Sequence, residues 1–371
     1  MKDRIHRLKV VGFLLVVAVF GCDSGVSVEE EPPFEEGPTF SEERVIQQQL
    51  DRSAESGILD MAGPLALIGR RVYRWDGAAW TLEVDALQPS TVYSGEAVGY
   101  PSAATDGQRV IVGTDNNYTE HCGNSYVGRV LVFEQRDQQW QETTELISPS
   151  DGALYCGSGH NVDINGGLLL AKGLPHALDP ATGAWTEIPR LGRLAVEARE
   201  LPDRYQVIDD TRILISYYAR HIVEIIEWTG TTWQTVASGS LSHIGTPGRS
   251  YGPVAYSDGF LIVSARDRAY IFALVDGVFA QVAELTPEEG LEETAFGASV
   301  AIDGPFAAVS DQFAYAVYLY EYVGEEWVKV ATFRSSDWPD FPEDANFGPS
   351  MVLSDRRILI SSRGVSYTYA W

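Results

Sequence analysis

The sequence predicts an all-β chain of short strands wound into a ring of seven four-stranded antiparallel blades, a seven-bladed β-propeller. Three observations predict it. The composition is rich in aromatic residues and glycine without helical periodicity. A unit of one turn and its strands recurs seven times. A spare strand at the N-terminal end completes the last unit.

The chain has 371 residues, of which 45% are hydrophobic and 11% are Phe, Trp or Tyr, with 35 glycines. That mix suits short strands joined by tight turns. A formal net charge of -25 repels phosphate backbones, so nucleic acid is not an expected partner.

The first segment reads as an export signal. Lys2, Arg4, Arg7 and Lys9 precede an apolar run of 11 residues, from Val10 to Phe20, which is short for a membrane span. Val19-Phe20-Gly21-Cys22 follows, which resembles the lipobox of bacterial lipoproteins. The resemblance implies that Cys22 is lipidated and becomes the mature N-terminus, and that acyl chains provide the only membrane contact. A plain secretory signal with a chance cysteine is the alternative. Residues 23–41 are dominated by Pro, Gly, Ser and Glu and read as a self-repelling spacer. The expected organisation is a signal peptide over 1–21, a lipidated cysteine and acidic tether over 22–41, and a propeller over 42–371. The expected location is a bacterial cell envelope, facing periplasm or exterior.

The repeat is clearest in Phe296-Gly297-Ala298-Ser299-Val300-Ala301-Ile302-Asp303-Gly304. It recurs from Phe347 to Asp355 and from Tyr251 to Gly259, and weaker copies end at Gly63, Gly107, Gly166 and Asp210. Seven turn positions result, spaced by 44 to 59 residues, the size of one propeller blade. Each turn should join strands A and B, followed by a Tyr- or Phe-bearing strand C and a strand D entered through an aromatic. Those aromatics are Trp80, Trp140, Trp185, Trp233, Phe279 and Trp327, and packing between blades is their expected role. The last unit, from Phe347 to Trp371, has no strand D. Residues 43–51 resemble one, so they should close the ring and hide its open edge.

The FG-x-S-V-A-x-D-G unit resembles the FG-GAP repeat family of integrin α-subunit propellers and many bacterial envelope proteins. The resemblance spans roughly residues 44–371 and is strongest in the last three blades. Integrin-type repeats often hold calcium through a D-x-D/N-x-D-G loop between strands A and B. The turns here are short and lack it, so no calcium or other cofactor is expected.

Candidate chemistry falls on the B–C and D–A loops, which share one face. Cys122 and Cys156 lie on neighbouring loops and are the cysteines left after Cys22. In an oxidising compartment a disulfide between them is the first expectation. Free thiols, or a metal site with His121 and His160, are the alternatives, although zinc-ligand spacing is missing. Arg70, Arg71, Lys172, Arg220, Arg266, Arg268 and Arg363 fall at B–C turns in five blades. If strand B lies near the axis, these cations converge on the channel mouth and suit an anionic group. Pairing with acidic loop residues is the alternative. Tyr217, Tyr218 and His221 in one loop, and Trp338 and Phe341 in another, offer aromatic surface for a sugar or a protein.

Gly248-Arg249-Ser250-Tyr251-Gly252 matches G-x-S-x-G, but a loop precedes it and a strand follows, which is the wrong context for a nucleophile elbow. No catalytic residue is assigned. The expected function is a non-enzymatic binding or scaffold module for an envelope protein or a glycan. A carbohydrate-active hydrolase or lyase, and a ligand-free structural protein, are the alternatives.

Overall fold

A computed structural model of the chain describes residues 40–41, 45–50, 59–91, 102–114, 129–147, 162–171, 174–189, 204–217, 220–244, 252–265, 267–288, 294–338, 341, 346–362 and 365–371. They hold twenty-eight β-strands and no α-helix. Strand β1 (Ile46–Leu50) comes first. Blade 1 is β2 (Leu59–Ala62), β3 (Leu65–Ile68), β4 (Arg71–Trp75) and β5 (Trp80–Val84). Blade 2 is β6 (Ser102–Thr105), β7 (Arg109–Thr114), β8 (Arg129–Arg136) and β9 (Gln139–Ile147). Blade 3 is β10 (Val162–Asn165), β11 (Leu168–Ala171), β12 (Leu174–Leu178) and β13 (Trp185–Glu187). Blade 4 is β14 (Arg204–Val207), β15 (Arg212–Tyr217), β16 (Ile222–Trp228) and β17 (Trp233–Ser240). Blade 5 is β18 (Val254–Ser257), β19 (Phe260–Ala265), β20 (Arg268–Val275) and β21 (Val278–Leu285). Blade 6 is β22 (Phe296–Asp303), β23 (Phe306–Asp311), β24 (Ala316–Val323) and β25 (Glu326–Arg334). Blade 7 is β26 (Phe347–Ser354), β27 (Arg357–Ser362) and β28 (Val365–Ala370), with β1 as its fourth strand.

Every blade runs A–B–C–D as an antiparallel meander. All seven predicted turns fall between strands A and B. The N-terminal strand pairs antiparallel with β28, from Ile46 opposite Ala370 to Leu50 opposite Ser366, so the ring is closed as the sequence predicts. The chain enters this strand from Phe40. The Phe40 amide donates to the buried Glu321 carboxylate (3.1 Å), and its ring packs edge-on against Trp371 at 5.7 Å. Phe40–Trp371 form one compact unit.

A blade buries little by itself, so the apolar core lies between blades. Each seam has its own cluster. Leu67, Val110 and Phe133 sit between blades 1 and 2, for example, and Val309, Ile271 and Tyr318 between blades 5 and 6. The strand-D aromatics fill these seams. Trp80 packs with Leu359 of blade 7, Trp233 with Leu168 of blade 3, and Phe279 with Leu214 of blade 4.

The A strands pack on one another around the ring, β2 on β6 and onward to β26, which returns to β2. Strand A therefore lines the axis, and the placement of strand B there is corrected. Strand B reads as innermost because it is almost wholly apolar and buried, as in Leu168–Ala171 and Phe260–Ala265. That burial comes from neighbouring blades covering both of its faces. The A strands carry the polar residues that an axis tolerates, including Asp60, Asp163 and Gln206.

Candidate functional site

At every seam a hydrogen bond joins neighbouring blades, in most cases through a residue of strand A or its turn into strand B. The Thr105 amide of blade 2 donates to Asp60 Oδ2 of blade 1 (2.7 Å), and the Val207 amide of blade 4 donates to Asp163 Oδ2 of blade 3 (2.6 Å). Between blades 2 and 3 the Val162 amide donates to Ser102 Oγ (3.3 Å). Between blades 4 and 5, Gln206 both donates to the Tyr256 carbonyl (2.7 Å) and accepts from its amide (2.9 Å). Ser257 Oγ accepts from the Gly304 amide (3.2 Å), and Asp303 Oδ2 accepts from the Asp355 amide (2.7 Å). Arg357 of blade 7 completes the circle by donating to the Gly63 carbonyl of blade 1 (2.7 Å). Its guanidinium also lies 5.8 and 5.4 Å from the rings of Trp75 and Trp80.

Burial raises the Asp60 carboxyl to about 6 and the Asp163 carboxyl to about 7, where the charge of Asp60 adds to the effect. Burial likewise raises Asp303 to about 6. Raised carboxyls of this kind are what an acid–base enzyme requires. Here each is committed to an amide of the adjoining blade, and Asp163 Oδ1 also accepts from the Ile164 amide (2.9 Å). Among the described residues no group of three or more His, Cys, Asp or Glu side chains is arranged to hold a metal ion.

Of the residues singled out from the sequence, Cys22, Cys122, Cys156, Lys172, Tyr218, Arg266 and Arg363 lie outside the described residues. Arg70 is half-buried at the turn between β3 and β4. Arg71 and Arg268 begin strand C in their blades. Arg71 pairs with Asp85 after strand D (2.6 Å), and Arg268 pairs with Glu284 on strand D. Their partners thus lie outward along their own blades, not at the axis. Tyr217 and Arg220 do come together, with His221 next in the chain. The Arg220 guanidinium stands 5.9 Å over the buried Tyr217 ring, and His221 turns the chain at φ 54°. Burial pushes up both the Tyr217 hydroxyl and the neighbouring Glu224 carboxyl, with Arg220 opposing each shift. Trp338 and Phe341 are partly buried in the blade 6–7 seam. Trp338 lies 4.7 Å from the Tyr367 ring and donates its indole N–H to the Tyr369 hydroxyl (2.7 Å). Phe341 packs on Phe347 and Tyr367 at 5.8 Å.

One aromatic pair escaped the sequence reading. The turn between β23 and β24 presents Phe313 and Tyr315 with 61% and 39% of their surfaces exposed. The fully buried Asp311 carboxylate holds this turn, accepting from the amides of Ala295, Phe313 and Ala314 and from the Thr294 hydroxyl. Tyr315 sits at φ 49°, an uncommon conformation for a bulky side chain. In the connection after β21 of blade 5, Glu288 accepts from Lys329 (3.0 Å) and Arg334 (3.1 Å) of β25, and the Lys329 bond foremost holds its carboxyl below the ordinary range. The sequence signal was an Asp closing strand B where blades 3, 4 and 5 have Ala171, Tyr217 and Ala265.

No family model matches this chain, and no curated protein matches it. Solved structures do. The YCF48 structure with a bound D1 peptide is 12% identical, with a TM-score of 0.54 over 90% of this chain and 99% of that one. U3-55K is 12% identical, with a TM-score of 0.53 over 88% and 98%. The RRP9 WD40 repeats are 11% identical, with a TM-score of 0.51 over 89% and 98%. At such identities the likeness is one of fold, and the fold shared is the β-propeller.

Proposed function

We propose that this chain is a lipid-anchored cell-envelope propeller that binds a protein or glycan partner on its B–C/D–A face and catalyses no reaction. In this reading residues 1–21 direct export, Cys22 carries the lipid, residues 22–41 form the tether and residues 42–371 the propeller. The FG-x-S-V-A-x-D-G units support a place among FG-GAP repeat proteins. A Cys122–Cys156 disulfide would tie the B–C loop of blade 2 to the D–A loop that follows it on the binding face.

The observation that supports binding most directly is the Phe313/Tyr315 turn. Large exposed apolar side chains are costly to display, and this pair stands on a turn fixed by a buried carboxylate. A rigid aromatic loses little conformational freedom when a partner covers it, which favours recognition. Tyr217, Arg220 and His221 offer a second, cationic element on the same kind of loop.

Capture from envelope extract, run beside a glycan array, tests the reading. The wild-type chain should retain a defined partner or glycan, and the Phe313→Ala/Tyr315→Ala variant should lose at least about tenfold in affinity, as expected for removing two anchors. Equal retention by both chains, at equal thermal stability, contradicts it.

A further inference from the structure

We propose that Asp60 and Asp163 form a proton-uptake pair at the propeller axis, so that the ring is held most firmly in mildly acidic surroundings and loosens as the medium becomes alkaline. The inference starts from placement. The two carboxylates occupy the second position of equivalent A strands, β2 and β10, in blades 1 and 3. Each clasps the next blade through a backbone amide. Each keeps some exposed surface, yet protein surrounds it, and it is the surrounding that penalises charge.

Among the described residues no counter-charge offsets that penalty. Against β2 pack β3, β6 and β26, whose described spans hold no ionisable side chain, and β27, whose Arg357 is engaged with Gly63 and Asp355. Against β10 pack β11 and β6, again without ionisable groups, then β7 and β14. Arg109 of β7 donates to the Gly166 carbonyl (2.8 Å), and β14 contributes Arg204 and Tyr205. The charge that most affects Asp163 is Asp60 itself, a repulsion. Asp303, at the blade 6–7 seam, differs in this respect. It faces Asp355 and Asp258, but Arg357 partly offsets them.

The sign follows from linkage. In the unfolded chain both carboxyls ionise near the ordinary value of 3.8, whereas in the ring they hold their protons up to about 6 and about 7. The folded state therefore binds more protons between these limits. Their contribution to stability is full below about pH 4 and is lost as pH rises through 6 to 7. Protonation keeps the clasp, because a neutral carboxyl still accepts from an amide.

The experiment compares the intact chain with Asp60→Asn/Asp163→Asn, whose amide oxygens still accept while carrying no charge. Denaturant unfolding at pH 8 and pH 5 should show the variant more stable than wild type at pH 8. That advantage should shrink at least tenfold in the folding constant at pH 5. Because the variant could fail to fold, carboxyl carbon titration of the wild-type chain stands beside it. The signals assigned to Asp60 and Asp163, told apart from that of Asp303, moving between pH 6 and 7 support the pair. An advantage that does not change with pH, or both signals titrating below about 4.5, overturns it. The outcome is independent of any partner on the loop face.

Discussion

Blades 6 and 7 grip the blades before them with backbone shape, whereas blades 1 and 3 grip the blades after them with one carboxylate each; the blade 6–7 seam carries both devices, since Asp303 also accepts from the Asp355 amide. In blade 6, Gly297 takes φ 83° at a bulge in strand A and lies directly on Ser264 of blade 5. In blade 7, Gly348 takes φ 79° and lies on Ser310 of blade 6. Each bulge is tied down within its own blade. Ser310 Oγ accepts from the Ser299 amide (2.9 Å), and Ser361 Oγ accepts from the Ser350 amide (2.9 Å). The Phe-Gly-x-Ser run is thus a seam latch, needing glycine where a side chain has no room and serine where a bulge exposes an amide. Blades 1 and 3 reach the same ring geometry with one aspartate. The difference teaches that a seven-membered ring fixes the spacing of its seams but not their chemistry.

The largest expected effect comes from filling the latch. A Cβ on Gly348 would lie 2.8 Å from Ser310 Cβ and 3.0 Å from Val317 Cγ2, at a positive φ. Gly348→Ala should cost about 3 kcal/mol, combining backbone strain with overpacking. The denaturant midpoint measures it, and a loss below about 1 kcal/mol would remove the distinction between the two kinds of seam. A smaller effect is expected where a blade 1 aromatic meets blade 7. The Trp80 indole N–H donates to Thr368 Oγ1 (3.1 Å) inside the closing seam. Trp80→Phe keeps much of the packing and loses that bond, for about 1 kcal/mol in the same measurement. A cost near zero would mean that aromatic packing alone holds that seam.

The same contrast explains what was legible in the sequence. A latch built from backbone shape demands glycine and serine at fixed spacing, so blades 5 to 7 announced themselves through Tyr251-Gly252, Phe296-Gly297 and Phe347-Gly348. A clasp made by Asp60 or Asp163 leaves one short polar residue in a strand, which carries no recognisable pattern. The turns were legible throughout, since every blade needs a reversal between strands A and B. The closing strand was legible because the last blade visibly lacked its fourth member. The site was less so. Arg71 and Arg268 sit beside apolar strands that looked axial, and only the sheet order and the ion pairs show that they point to acids on strand D or just after it in their own blades. Phe313 and Tyr315 gave no periodic signal, because loop residues escape the repeat that ring closure imposes on strands.

Hydrogen exchange of the β1 and β28 amides is the most direct test of the closed ring. Gln48 grips Trp80 of blade 1 through both its amide atoms, at 2.8 and 2.7 Å, while β1 pairs along its full length with β28. Ladder amides in Ile46–Leu50 should therefore be protected as strongly as those of Val365–Ala370 and open with them as one cooperative unit. Free exchange across Ile46–Leu50 beside a protected β28 would show that the N-terminal strand does not close the seventh blade.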